Sequence, residues 1–101
     1  MVQKGDPRDT LEFNPVGAHS DGLDISSAVT LTPPDGATKI LIQALDTACR
    51  FTLDGTTPTT ATGFQLAAGD PPLLIPLGLS TVIKVIEESA TCDLQYQWGE
   101  G

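Results

Sequence analysis

The stretch "TCDLQYQWG", Thr91 to Gly99, decides the fold. Cys92, Leu94, Tyr96 and Trp98 occupy every second position, with Thr91, Asp93, Gln95 and Gln97 between them. A period of two belongs to a β-strand with one face turned inward and the other outward. The same alternation recurs upstream. In "STVIKVIEE", Ser80 to Glu88, Ile83 and Val85 alternate with Val82, Lys84 and Ile86. In "AVTLTPP", Val29 and Leu31 oppose Thr30 and Thr32 before Pro33-Pro34-Asp35-Gly36 forces a turn. "TKILIQAL", Thr38 to Leu45, is apolar on both faces: Ile40, Ile42 and Ala44 on one, Leu41 and Leu45 beside Gln43 on the other. Such a strand is covered on both sides, or its outer face meets a partner.

Further strands follow from the same reading. Cys49, Phe51 and Leu53 alternate with Arg50 and Thr52, and Phe64 and Leu66 form an inward pair. "PPLLIPLG", Pro71 to Gly78, carries three prolines without donors, so it is an edge strand or an irregular crossing. No segment has the period of a long amphipathic helix. Strands at intervals of about 8–12 residues, with turn residues between them, predict an all-β antiparallel sandwich or barrel of about seven strands. Residues 1–24 show no sustained period and mix charge, Gly and Pro around a short apolar patch. We read them as an extended N-terminal arm with one short strand, ordered against a neighbour, and residues 25–101 as one β-domain.

The 101 residues carry a net charge of −8, which opposes binding to a nucleic-acid backbone or an anionic membrane. The first ten residues lack an apolar run, so no secretory leader is expected. Cys49 and Cys92 match no metal spacing. Two buried free thiols are expected in a reducing compartment, with a bridge open if their strands are neighbours. His19 stands alone in the arm beside Ser20 and Asp21, and adjacent residues cannot form a catalytic triad. Glu87 and Glu88 point to opposite faces of a strand or cap its end, which is not a glycosidase pair. Asp21, Asp24, Asp35, Asp46, Asp54 and Asp70 fall at turns without a calcium-loop spacing. No catalytic residue, cofactor or metal is assigned.

"FTLDGTTPT", Phe51 to Thr59, is the most distinctive loop signal. Asp54-Gly55 favours a turn with positive φ, Pro58 ends a ladder, and threonine hydroxyls stiffen the corner by bonding to nearby backbone. "RFTLDGTTPT" resembles the Y-T-x-D-G-[ST]-x-P-T run of the chitobiase/hexosaminidase C-terminal type of Ig-like domain, with Phe51 where Tyr is usual. That resemblance implies an accessory carbohydrate-binding module using this loop with Tyr96 or Trp98. A longer stretch, about residues 25–98, resembles a family of small tailed-bacteriophage virion structural proteins. Its element D-G-x-x-P-T-x-x-x-G-x-x-L-x-A-G is carried here by Asp54, Gly55, Pro58, Thr59, Gly63, Leu66, Ala68 and Gly69.

This second resemblance implies a non-enzymatic capsid decoration or cement protein with an Ig-like or jelly-roll-like body. It would be assembled in the host bacterial cytoplasm, act as a homotrimer, and bridge subunits of the major capsid protein on the virion surface. A head–tail junction or tail component is the alternative. The residues expected to carry partner contacts are Leu11, Phe13 and Val16 in the arm and Asp54, Thr56, Thr57 and Pro58 in the loop. Deleting residues 1–20 is expected to weaken capsid binding while leaving the fold intact.

Overall fold

The computed structural model describes residues 13–89 and 91–101. Nine strands run through them: β1 (Asn14–Pro15), β2 (Ser20–Asp24), β3 (Val29–Leu31), β4 (Lys39–Leu45), β5 (Cys49–Thr52), β6 (Phe64–Leu66), β7 (Leu73–Pro76), β8 (Ile83–Glu87) and β9 (Asp93–Glu100). There is no helix among the described residues. All pairings are antiparallel and divide into two sheets packed as a sandwich. The first sheet runs β1-β9-β4-β7, with β2 also on β9, and the second runs β3-β8-β5-β6. Seven strands lie beyond Ile25, as the alternation predicts. The other two come from residues 14–24, where one was expected.

Register turns the alternation into a core. In the first sheet, Ile40 lies between Trp98 and Ile75, and Ala44 lies opposite Leu94. Those side chains are buried. Facing them, Val85 sits opposite Phe51 on one side and Val29 on the other, and Ile83 sits opposite Leu31. Complete burial of each large aliphatic side chain contributes roughly 1.5–3 kcal/mol. The Pro-flanked β7 is an edge strand on β4, as its missing donors require. The outer face of β4 has no second layer among the described residues. Leu41 is half-buried, opposite Leu74 on one side and Gln97 on the other.

The described part of the segment read as an arm spends Phe13, Val16 and Leu23 on its own sheet. Val16 N donates to Trp98 O at 2.9 Å, and the Gln97 amide donates to Gly17 O at 3.1 Å. The Phe13 ring lies where Gly99 would place a Cβ, 2.4 Å from its nearest ring carbon. Gly99 is buried for that reason: only a residue without a side chain leaves the ring its seat. The expectation that residues 1–20 can be removed without touching the fold is therefore corrected. The deletion would take β1, Phe13 and the Val16 bond to β9.

Two connections carry non-glycine residues at positive φ, Asp46 at 73° and Thr91 at 56°. Both lie where the chain passes between sheets, β4 to β5 and β8 to β9. Asp at the first is tolerated because its short polar side chain suits the left-handed region.

Phe13→Ala is expected to lower stability by about 1–2 kcal/mol in urea unfolding, reflecting a half-buried ring. Gly99→Ala, which expels the same ring, should cost at least as much, and combining the two should be far less than additive.

Candidate functional site

The loop from Leu53 to Gly63 joins β5 to β6, and most of its polar groups hold its own shape. Asp54 Oδ1 accepts the Thr56 N–H at 3.0 Å, closing a turn around Gly55, whose φ is 86°. These contacts from Thr56 hold the Asp54 carboxyl below its ordinary range. The Thr52 hydroxyl donates to Thr56 O, and Thr59 Oγ1 accepts the Ala61 N–H at 3.2 Å. Gly55 N donates to Val82 O, and Val82 N to Leu53 O, at 3.1 and 2.9 Å, which pins the loop to the start of β8. The corner is thus stiffened by threonine and Asp as the sequence predicts, but it is a wide loop and not a two-residue hairpin turn.

Of the loop residues expected to touch a partner, Asp54, Thr56 and Thr57 are exposed. Pro58 is fully buried and is corrected: covered by this chain's own fold, it offers no surface to a partner. In the arm, Phe13 and Val16 are half-buried against their own sheet, and Leu11 lies outside the described residues. The two groups are not brought together by any contact between them among the bonds described.

A second correction concerns Phe64, expected to point inward with Leu66. Leu66 is buried, but Phe64 is 64% exposed, because β6 is the edge of its sheet and no strand among the described residues packs beyond it. Its ring leans on Phe51, with centroids 5.5 Å apart. Together they wall an open apolar groove of about 460 Å³ that also takes in Leu53, Asp54, Thr56 and Gly63. Gly63, at φ 120°, lies so close to β5 that a Cβ would stand 2.9 Å from Phe51 O. Beside it Arg50 donates to Gly63 O at 3.1 Å and pairs with Glu88 at 2.6 Å. Gln65 donates to the other Glu88 oxygen at 2.7 Å. The Gln65 bond, then Arg50, holds the Glu88 carboxyl below its ordinary range. Glu88, just past β8, thus ties Arg50 of β5 to Gln65 of β6.

Sequence reasoning missed the exposed apolar edge. Leu73 and Leu74 on β7 are 38% and 40% exposed, and Leu79 beyond it is wholly exposed. The adjacent pair Leu73-Leu74 was the available signal, since neighbours on a strand cannot both face one core. Leu79 borders an open cleft of about 390 Å³ at one end of the sandwich, floored by Leu31, Ile83 and Trp98.

Trp98 is buried and Tyr96 half-buried, their rings meeting edge to face at 6.0 Å. Neither offers the open face a sugar platform needs. His19 is exposed, its Nε2 4.0 Å from Asp21 Oδ1. Asp24 Oδ1 accepts the Ser26 N–H at 2.9 Å, a turn-forming role like that of Asp54. Among the described residues no three His, Cys, Asp or Glu side chains are placed to hold a metal ion. No buried side-chain nitrogen or oxygen lacks a hydrogen-bond partner among them. No helix among them is long and apolar enough to cross a membrane. Cys49 and Cys92 are both buried. Burial pushes the Cys49 thiol up to about 12, helped by Cys92 and Glu88, and burial likewise raises Cys92. Such thiols stay protonated and are poor nucleophiles.

No family model, curated protein or solved structure matches this chain.

The thiols give the fold an alkaline limit. In the unfolded chain Cys49 ionises around its ordinary value of 9.0, while in the fold it remains protonated up to about 12. The unfolded state therefore binds fewer protons above pH 9. Stability is fully present below that pH and falls as pH rises toward 12, approaching about 1.4 kcal/mol per pH unit for one such thiol. Urea unfolding across this range should show the decline, and Cys49→Ala should flatten it.

Proposed function

We propose that this protein is a non-enzymatic structural component of a tailed-bacteriophage virion, a decoration protein that binds major capsid protein subunits from outside the shell. The observation that carries the reading is the apolar edge of β7 and the turn after it: Leu73, Leu74 and Leu79 lie exposed on an acidic body that also exposes Phe64 and Val82. Exposed apolar side chains are drawn to a partner surface, each contributing roughly 1.5–3 kcal/mol if fully covered. Repetition over a symmetric shell multiplies modest contacts into firm attachment. The resemblance over residues 25–98 supports the same reading. The contact residues of choice move accordingly, from the arm and Pro58 to the β7 edge, while Asp54, Thr56 and Thr57 remain exposed loop candidates on the other sheet. A homotrimer seated where capsid subunits meet fits this arrangement, and a head–tail junction or tail position would use the same edge.

A second reading, a carbohydrate-binding module, draws on one observation: the exposed Phe64 ring beside the Asp54–Thr57 loop. That ring takes the place that Trp98 and Tyr96 cannot fill.

Leu74→Asp combined with Leu79→Asp should leave the far-ultraviolet spectrum unchanged. It should weaken binding to shells assembled from the major capsid protein by at least about a hundredfold. Full occupancy by the double variant would end the decoration reading. On a glycan array, binding lost on Phe64→Ala with the fold retained would instead support the module. The decoration reading expects no glycan to bind.

A further inference from the structure

Two residues far apart in sequence meet at one end of the sandwich. Cys92 directly precedes Asp93, which pairs with Leu45 at the end of β4. From Leu45 the chain needs only Asp46, Thr47 and Ala48 to cross into the other sheet, where β5 opens with Cys49. Cys49 sits opposite Glu87 on one side and Leu66 on the other. The same end is tied by Glu88 N donating to Ala48 O at 3.0 Å and by Cys92 N donating to Glu87 Oε1 at 3.5 Å. Thr47 lies beside the Cys92 thiol, and Cys92 is near enough to Cys49 to help push its thiol up. Both side chains are buried, at 0% and 1% exposure. Two buried thiols, one beside each sheet, are thus brought to the same end of one core by backbone pairing on both sides.

We propose that Cys49 and Cys92 are a redox pair that closes into an inter-sheet disulfide when the protein meets a low-molecular-weight disulfide such as oxidised glutathione. Cys92 reacts first, because it borders the surface cleft formed with Asp24, Ser26, Glu87, Thr91 and Asp93. Its thiolate bonds to one glutathione sulfur and expels the other as a thiolate. The Cys49 thiolate then attacks the Cys92 sulfur and expels the second glutathione thiolate. The two protons lost by the cysteines end on the two released glutathione thiols. The protein gives up two electrons, and the glutathione disulfide takes them. Burial and the carboxylates of Glu87, Glu88 and Asp93 oppose thiolate formation, so closure is slow in the folded protein and speeds up as pH rises. In reducing surroundings the pair remains as thiols. The bridge encloses β5 to β8 and joins the sheets covalently, a long loop of the kind that gains most from cross-linking. This inference is independent of the proposed function.

The test is to unfold the full chain with its thiols reduced and refold it in a glutathione redox buffer. Intact mass and free-thiol content are then read after acid quenching. Most molecules should be lighter by two hydrogen atoms, monomeric and without free thiol. Cys49→Ala and Cys92→Ala should instead carry one free thiol or one glutathione. The bridged form should melt at least about 10 °C above the reduced form. Refolded native-sequence protein carrying two free thiols, two glutathiones or an intermolecular bridge would overturn the proposal. So would a bridged form melting at or below the reduced one. Should either single variant fail to refold, the mass and melting point of the unsubstituted chain still decide.

Discussion

The pairing of β4 with β9 is the constraint on which the remaining architecture depends. It joins Lys39–Leu45 to residues Asp93–Gly99, about half the chain away, in an unbroken seven-pair register. That register sends Ile40, Ile42 and Ala44 inward beside Trp98, Tyr96 and Leu94, and Leu41 and Gln43 outward beside Gln97 and Gln95. A slip of one position would reverse both sets, placing glutamines in the core. With the pair fixed, β7 has an edge of β4 to join, and β1 and β2 have an edge of β9. The second sheet then has an apolar face to cover. Most connections cross between sheets, the β5–β6 loop being the exception among β3 to β9. Few contacts are local, so loop-closure entropy is met before burial compensates for it.

Satisfying this architecture consumes many residues that a loop or arm would otherwise offer to a partner. Pro58 is buried, Phe13 fills the space above Gly99, and Val16 is bonded to β9. What remains open lies on edges. Phe64 at the edge of one sheet and the leucines at the edge of the other are apolar because their strands need apolar residues. They are exposed because no further strand among the described residues covers them. An edge has this double character: unpaired backbone on one side and uncovered side chains above it. β7 limits the first with proline at Pro76 and leaves the second available.

The cysteines illustrate the same dependence. Each fits its strand pattern as a small buried apolar residue, and neither position reveals the other. Their meeting follows from the three-residue crossing after Leu45 and the Leu45–Asp93 pair, both products of the β4–β9 register. The polar tie of Arg50, Gln65 and Glu88 likewise joins three strands that sequence order separates. Its residues read in isolation only as surface charge.

The sequence by itself determined the all-β class, the inward set of most strands, the edge character of the Pro-rich β7 and the stiffened Asp54–Thr59 corner. Each of these is a local property: the two-residue period of a strand, the missing donor of proline, the short-range bonds of Asp and Thr. Tertiary structure alone decided which strands are neighbours, and with them the exposure of Phe64, the burial of Pro58 and the placement of Cys49 and Cys92 at one end of the core. Whether a side chain on a strand is covered depends on what lies beyond that strand, and that neighbour comes from a distant part of the chain.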